Sequence, residues 1–281
     1  MNFSLIASGL GNAVDTGYVL AVFLLSLRLS AVFLMTPVLS AFGVPGVVRL
    51  LLVLGIAAAL ALGMPAQELA AMLALSSAST LFAAAMTEVA LGAMLALGIL
   101  SAFAAISLAG RLIDIQIGFG MAQVFDPVSS RQVPVLTSAF DRLGVIVFFL
   151  INGHHALLRG IAFSLDRFPL GRPWPLEATA PLVIKQVAGL FAMGFALAAP
   201  VVVCLLLVEL ALGVVARNLP QMNMFVIGIP VKIIVGLAAL SLWFGGMGDA
   251  MSRIYASIYR SWDATLSVAP HTAPNTAPGA R

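Results

Sequence analysis

This sequence is short of charge. Only 9% of its 281 residues are Asp, Glu, Lys or Arg, whereas 62% are hydrophobic and the mean hydropathy is +1.11. Soluble domains carry about 25% charged residues, so a water-soluble fold is excluded, and lipid or neighbouring subunits must cover the apolar surface. Cysteine is nearly absent. Cys204 stands alone inside an apolar run, which rules out a disulfide framework or cysteine-metal cluster and leaves a small buried thiol. The 14 Lys and Arg outnumber the 11 Asp and Glu, but they are scattered singly, so the footprint of a nucleic-acid binder is missing. Of 3 histidines, His154 and His155 are adjacent. On a helix they point about 100° apart and do not form the same-face pair of a zinc site, so neither a metal nor a cofactor is expected. The glycines of GFGMA lack the preceding strand and further glycines of a phosphate-binding fingerprint. No basic residue precedes the first apolar run, which argues against a cleaved secretory signal and retains Tyr18 onward as a span.

What the chain has instead is long uncharged runs. They cover residues 29–48, 50–67, 69–87, 89–110, 143–158, 186–208 and 233–248, most of them close to the length of about 20 residues that crosses a bilayer as helix. All are rich in Leu, Ala and Val, with none of the alternation of a membrane barrel. The expected class is all-α: a polytopic membrane protein of six or seven hydrophobic helices. The loops 111–142 and 159–185 each mix both signs of charge and set no orientation. From Pro270 the tail PHTAPNTAPGAR has nothing to pack and reads as disordered.

Proline and isolated polar groups interrupt these runs. Pro37, Pro45, Pro65, Pro134, Pro200, Pro220 and Pro230 are expected to end or kink helices, because proline removes a backbone donor. Gln221 and Asn223 make the Pro220 to Pro230 stretch a polar corner between two apolar runs. In GRLIDIQIGFGMAQVFDPVSSRQ, Asp126-Pro127 fits an N-cap and first helical position, so residues 113–125 are expected to form a loop and a helix to run from there towards Phe149. His154 and His155 are expected to make helix-end or inter-helix hydrogen bonds. Arg28 and Glu209 stand alone in apolar runs, where a charge is costly in lipid, so both are expected to face protein or water. Ser, His and Asp gather in no catalytic constellation, which argues against an enzyme. A carrier of small molecules usually shows two corresponding halves, and here internal symmetry is weak.

Four segments carry a resemblance: RLSAVFLMTPVLSAFGVPGVVRL, FDPVSSRQVPVL, LINGHHALLRGIAFSLDRFPLG and ALGVVARNLPQMNMFVIGIPVKIIVGL. In the last, Arg217, Pro220, Gln221, Asn223, Phe225, Gly228 and Pro230 stand where the pattern places them. Over about residues 18–260 the chain resembles the FliR family of flagellar export-gate proteins and its virulence-secretion relatives. The resemblance implies a non-enzymatic part of the type III export gate in the bacterial inner membrane, at the flagellar basal body. Its implied partners are FliP-like and FliQ-like subunits, an FlhB-like switch protein and unfolded proteins in transit. It also implies an N-terminal segment 1–17, a FliP-like helical part over 18–184, a FliQ-like helical hairpin over 185–260 and a tail over 261–281. Within such a channel the loop near 111–130 is expected to close the pore at rest. Ile117, Phe119, Met121 and Phe125 supply an apolar constriction that blocks ions by dewetting, and Gly118 and Gly120 supply the freedom to move aside. Arg217, Pro220, Gln221, Asn223, Phe225 and Pro230 are expected to fix the hairpin corner and dock a neighbouring subunit.

Overall fold

Hydrocarbon offers no water to pair with backbone N–H and C=O groups, so a chain this apolar must satisfy its backbone internally. The computed structural model describes residues 3–40, 43–75, 77–119, 134–172, 174, 176–219, 221 and 223–267. These form nine α-helices and no strand: α1 Phe3–Met35, α2 Pro37–Ser40, α3 Gly46–Leu62, α4 Ala66–Ala71, α5 Ala78–Ile117, α6 Val135–Leu150, α7 Gly153–Arg167, α8 Leu176–Asn218 and α9 Met224–Leu266. A 3-10 turn, Met72–Leu75, extends α4. By length and composition four stretches can cross a membrane, and two bent pairs raise the number to six. The pairs are α3 with α4 and its 3-10 turn, bent by 111°, and α6 with α7, bent by 68°. The all-α membrane class therefore holds.

The boundaries differ from expectation in physically instructive ways. Glu88 separates two of the uncharged runs, yet α5 passes straight through it for 40 residues, because Glu88 is buried and paired rather than solvated. Residues 113–117 remain helical where a loop was expected, since Asp114 and Ile117 are both buried. The helix that reaches Phe149 begins at Val135 rather than at Pro127, with Pro134 at ψ of 132° as its N-cap. Asp126 and Pro127 themselves lie outside the described residues. Pro45 and Pro65 likewise precede helices, whereas Pro200 and Pro230 sit inside α8 and α9 without ending them. The first helix starts at Phe3 rather than Tyr18, and α9 runs to Leu266, so residues 261–266 are helical rather than tail. From residue 268 on, the tail lies outside the described residues.

The chain divides into two compact units that share its long helices. One comprises residues 1–98, 157–185 and 260–281; the other comprises 99–156 and 186–259. In the first, α1 meets α5 backbone to backbone. A Cβ added at Gly92 would lie 2.4 Å from the Arg28 carbonyl oxygen, and one at Gly17 would lie 2.2 Å from that of Leu69. Tyr18 donates to the Ala58 carbonyl at 3.2 Å, and Gly160 makes room for the ring of Trp262. In the second, Phe103, Phe148 and Tyr255 form a triad with ring centroids 5.4 to 5.8 Å apart, and the Tyr255 hydroxyl donates to the Gly144 carbonyl at 2.9 Å.

Glycine contacts of this kind separate sites that tolerate a methyl group from sites that do not. Gly92→Ala is expected to destabilise the protein by about 1–3 kcal/mol, because its Cβ meets backbone that no rotamer can relieve. Gly55→Ala, with nothing within 4 Å of its Cβ, is expected to gain about 0.5–1 kcal/mol of helix propensity. Thermal unfolding of the two variants in detergent should move in opposite directions.

Candidate functional site

A guanidinium in an apolar helix needs acceptors, and Arg28 finds them all within its own unit. Arg28 and Glu88 are both fully buried. Nε of Arg28 donates to Glu88 Oε2 at 2.6 Å, Nη1 to Ser164 Oγ at 3.1 Å and Nη2 to the Phe168 carbonyl at 3.0 Å. Ser164 Oγ in turn donates to the Ile161 carbonyl at 2.7 Å, and Glu88 Oε1 accepts from the Gly171 amide at 3.1 Å. Gly171 has φ of +74°, a left-handed conformation suited to glycine, and this aims its N–H at the carboxylate. The network ties α1, α5, the end of α7 and the turn after it. Its chemistry is structural: each guanidinium nitrogen of Arg28 and both carboxylate oxygens of Glu88 are engaged.

Glu209 is paired as well, with Lys232 across the α8–α9 hairpin. The hairpin is antiparallel with an even register. Gly228 contacts Leu212, Gly236 contacts Leu205 and Trp243 donates to the Leu197 carbonyl. In these three pairs and in Glu209–Lys232 the two residue numbers add to 440 or 441, which centres the reversal on the 219–223 corner. At that corner Arg217, Gln221 and Asn223 are exposed, and the Val226 amide bonds to the Asn223 carbonyl at 3.1 Å. Pro220 and the side chain of Phe225 lie outside what is described, and Pro230 is exposed within the first two turns of α9.

The residues expected to form the pore loop are only partly described. Ile117 is the fully buried last residue of α5 and fills a notch at Gly236, where a Cβ would lie 2.5 Å from its Cγ1. Gly118 turns the chain with φ of +96°, and Phe119 is half-buried. Gly120, Met121 and Phe125 lie outside the described residues. Ile115, Gly118, Leu212, Gly228 and the Glu209–Lys232 pair border a mostly apolar cavity of about 380 Å³.

At the α6–α7 bend Asn152 takes φ of +56°, and the Tyr259 hydroxyl donates to the Gly153 carbonyl at 3.2 Å. His154 stacks on Phe149 with centroids 5.2 Å apart and lies 4.2 Å from the His155 ring. Its buried Nδ1 has no hydrogen-bond partner among the described residues. Among the described residues no three of His, Cys, Asp and Glu come together as metal ligands. Sequence reasoning missed Glu88, Lys232 and Asp114. The first two served only as limits of uncharged runs, although a charge flanked by long apolar stretches on both sides was the signal that marked Arg28 and Glu209.

Removing one partner of the buried pair leaves an uncompensated charge, so Arg28→Ala or Glu88→Ala should each cost about 3–5 kcal/mol. The double replacement Arg28→Met with Glu88→Leu should recover part of that loss, short of wild type because the Gly171 N–H and Phe168 C=O stay unpaired. Glu209→Ala should cost less, since Lys232 and Glu209 are 25% and 38% exposed. Thermal unfolding of the four variants tests this order.

Residues 19–258 match the family described as bacterial export proteins, family 1. The chain is 30% identical over 236 residues to the flagellar biosynthetic protein FliR of Escherichia coli (strain K12), covering 83% of this chain and 87% of that protein. It is 38% identical over 136 residues to the flagellar biosynthetic protein FliR of Bacillus subtilis (strain 168), covering 47% of this chain and 52% of that one. It is also 25% identical over 138 residues to the secretion system apparatus protein SsaT of Salmonella typhimurium, covering 49% and 53%. A match that takes in most of the chain from α1 to α9 places this protein in the bacterial export proteins, family 1.

Proposed function

We propose that this chain is a structural, non-enzymatic component of the flagellar type III protein export gate. In this reading it forms, with FliP-like and FliQ-like subunits, an inner-membrane channel for unfolded flagellar proteins at the basal body, and an FlhB-like switch protein joins it. The observation that carries the reading is the similarity to a flagellar biosynthetic protein over 83% of the chain. Identity is 38% and 30% to the two flagellar FliR proteins against 25% to SsaT, which favours the flagellar system.

The geometry supports an assembly rather than a lone bilayer protein. Helices α8 and α9 have 43 residues each. At about 1.5 Å per residue they are roughly twice as long as a bilayer core of about 30 Å is thick, so partners must cover part of their apolar length. Exposed Val203, Leu207, Leu210, Ile234 and Leu242 lie along the hairpin. Co-purification from native membrane with FliP-like and FliQ-like proteins tests the reading, and a protease-resistant, monodisperse monomer from the same membrane would overturn it.

Two site assignments follow. The exposed corner with Arg217, Gln221 and Asn223 docks a neighbouring subunit, together with Pro220, Phe225 and Pro230, so Gln221→Ala with Asn223→Ala should reduce co-purified partners before it reduces expression. The stretch from Gly118 to Phe125, anchored by Ile117, closes the pore at rest by its apolar side chains. Changing Phe119 and Met121 to Gly should give an assembled complex that leaks ions and slows growth, and a tight complex that still exports would sink that assignment.

A further inference from the structure

We propose that Asp114 is a positioning residue that pins the end of α5 to the start of α6, so that the chain between them leaves and returns at one fixed point. The inference rests on the export-channel reading above and concerns how that channel is kept tight. Asp114 lies one turn before the end of α5 and is 1% exposed. Its Oδ1 accepts from the Leu136 amide at 3.1 Å, and its Oδ2 accepts from both the amide and the hydroxyl of Thr137 at 2.7 Å. These are first-turn groups of α6, whose own N-cap, Pro134, makes no side-chain capping bond. A helix start is ordinarily capped by the residue beside it. Here the cap comes from 22 and 23 residues away, so one carboxylate both satisfies the helix and joins two separate stretches.

The surroundings make that junction close and stiff. One turn earlier on α5, Gly110 meets Thr137 and Phe140 so tightly that an added Cβ would lie 2.9 Å from each. One turn later, Ile117 is held in the Gly236 notch of α9. The end of α5 is thus fixed on one side by a charged cap and on another by apolar packing. Neither contact uses the exposed hairpin corner through which subunits are proposed to dock, so loss of the cap should show in channel tightness rather than assembly.

The test uses the complete complex in vesicles, with proton leak read by an entrapped pH dye and assembly read by co-purification. Asp114→Ala is expected to assemble and to leak about tenfold faster than wild type, as buried donors lose their acceptor. Asp114→Asn, which sets an amide N–H₂ against one of the α6 donors, should leak by a smaller factor, and it supplies the reading if the Ala variant fails to assemble. A complex with Phe119 and Met121 changed to Gly runs beside them. If that complex leaks while assembled Asp114 variants stay tight, Asp114 is only a helix cap and the inference fails. If all remain tight, the pore-closing assignment itself fails. A leak from the Asp114 variants that scales with their loss of co-purified partners assigns Asp114 to general stability and overturns the positioning role.

Discussion

A guanidinium sealed from water must find its acceptors inside the protein, and around Arg28 they are drawn from α5, from the end of α7 and from the turn that follows. Those stretches lie 60 to 140 residues away in the chain. Apolar side chains alone fix few details of helix packing, because leucine against leucine is nearly indifferent to small rotations and slides. A three-donor fork is not indifferent. Once Glu88, Ser164 and Phe168 must all be met, the facing sides of α1 and α5 are set, and Gly92 has to sit against the Arg28 carbonyl one turn beyond Glu88. The turn conformation of Gly171 follows from the same requirement, since its amide completes the second carboxylate oxygen.

The second unit meets the same constraint in two other ways. Asp114 is spent on backbone amides, so its charge is compensated by a helix start rather than by a base. Glu209 and Lys232 neutralise each other across the hairpin but stay partly exposed. Burial within the protein parallels this contrast: the most apolar window of α5 is 67% buried, that of α9 only 6%. One helix is mostly an interior element and the other mostly a surface element.

Composition was enough to read the class, because long apolar runs are a local property, whereas the hairpin was expected from the family resemblance. Span limits were harder, since they were drawn at charges. A charge marks the edge of the membrane only when it is solvated, and Arg28, Glu88 and Lys232 are paired with residues that no local window contains. Proline marked helix limits at some positions and not at others. Pro45, Pro65 and Pro134 start helices because their fixed φ suits the position, while Pro200 and Pro230 are carried by long helices whose neighbouring turns hold them. The segment proposed to close the pore was singled out by its glycines and apolar side chains. Its anchor was not, because Asp114 looks like one more loop carboxylate until Leu136 and Thr137 are placed beside it.

The even register of the α8–α9 hairpin ties the lengths of its two arms together. Each contact pairs a position before the corner with one equally far after it, so deleting one residue from either arm turns every side chain beyond the deletion by about 100° relative to its opposite number. Glu209 would then face away from Lys232, and Ile117 would meet a side chain where Gly236 had been. The two arms therefore behave as one length, and a residue lost from either is felt at every paired position beyond it.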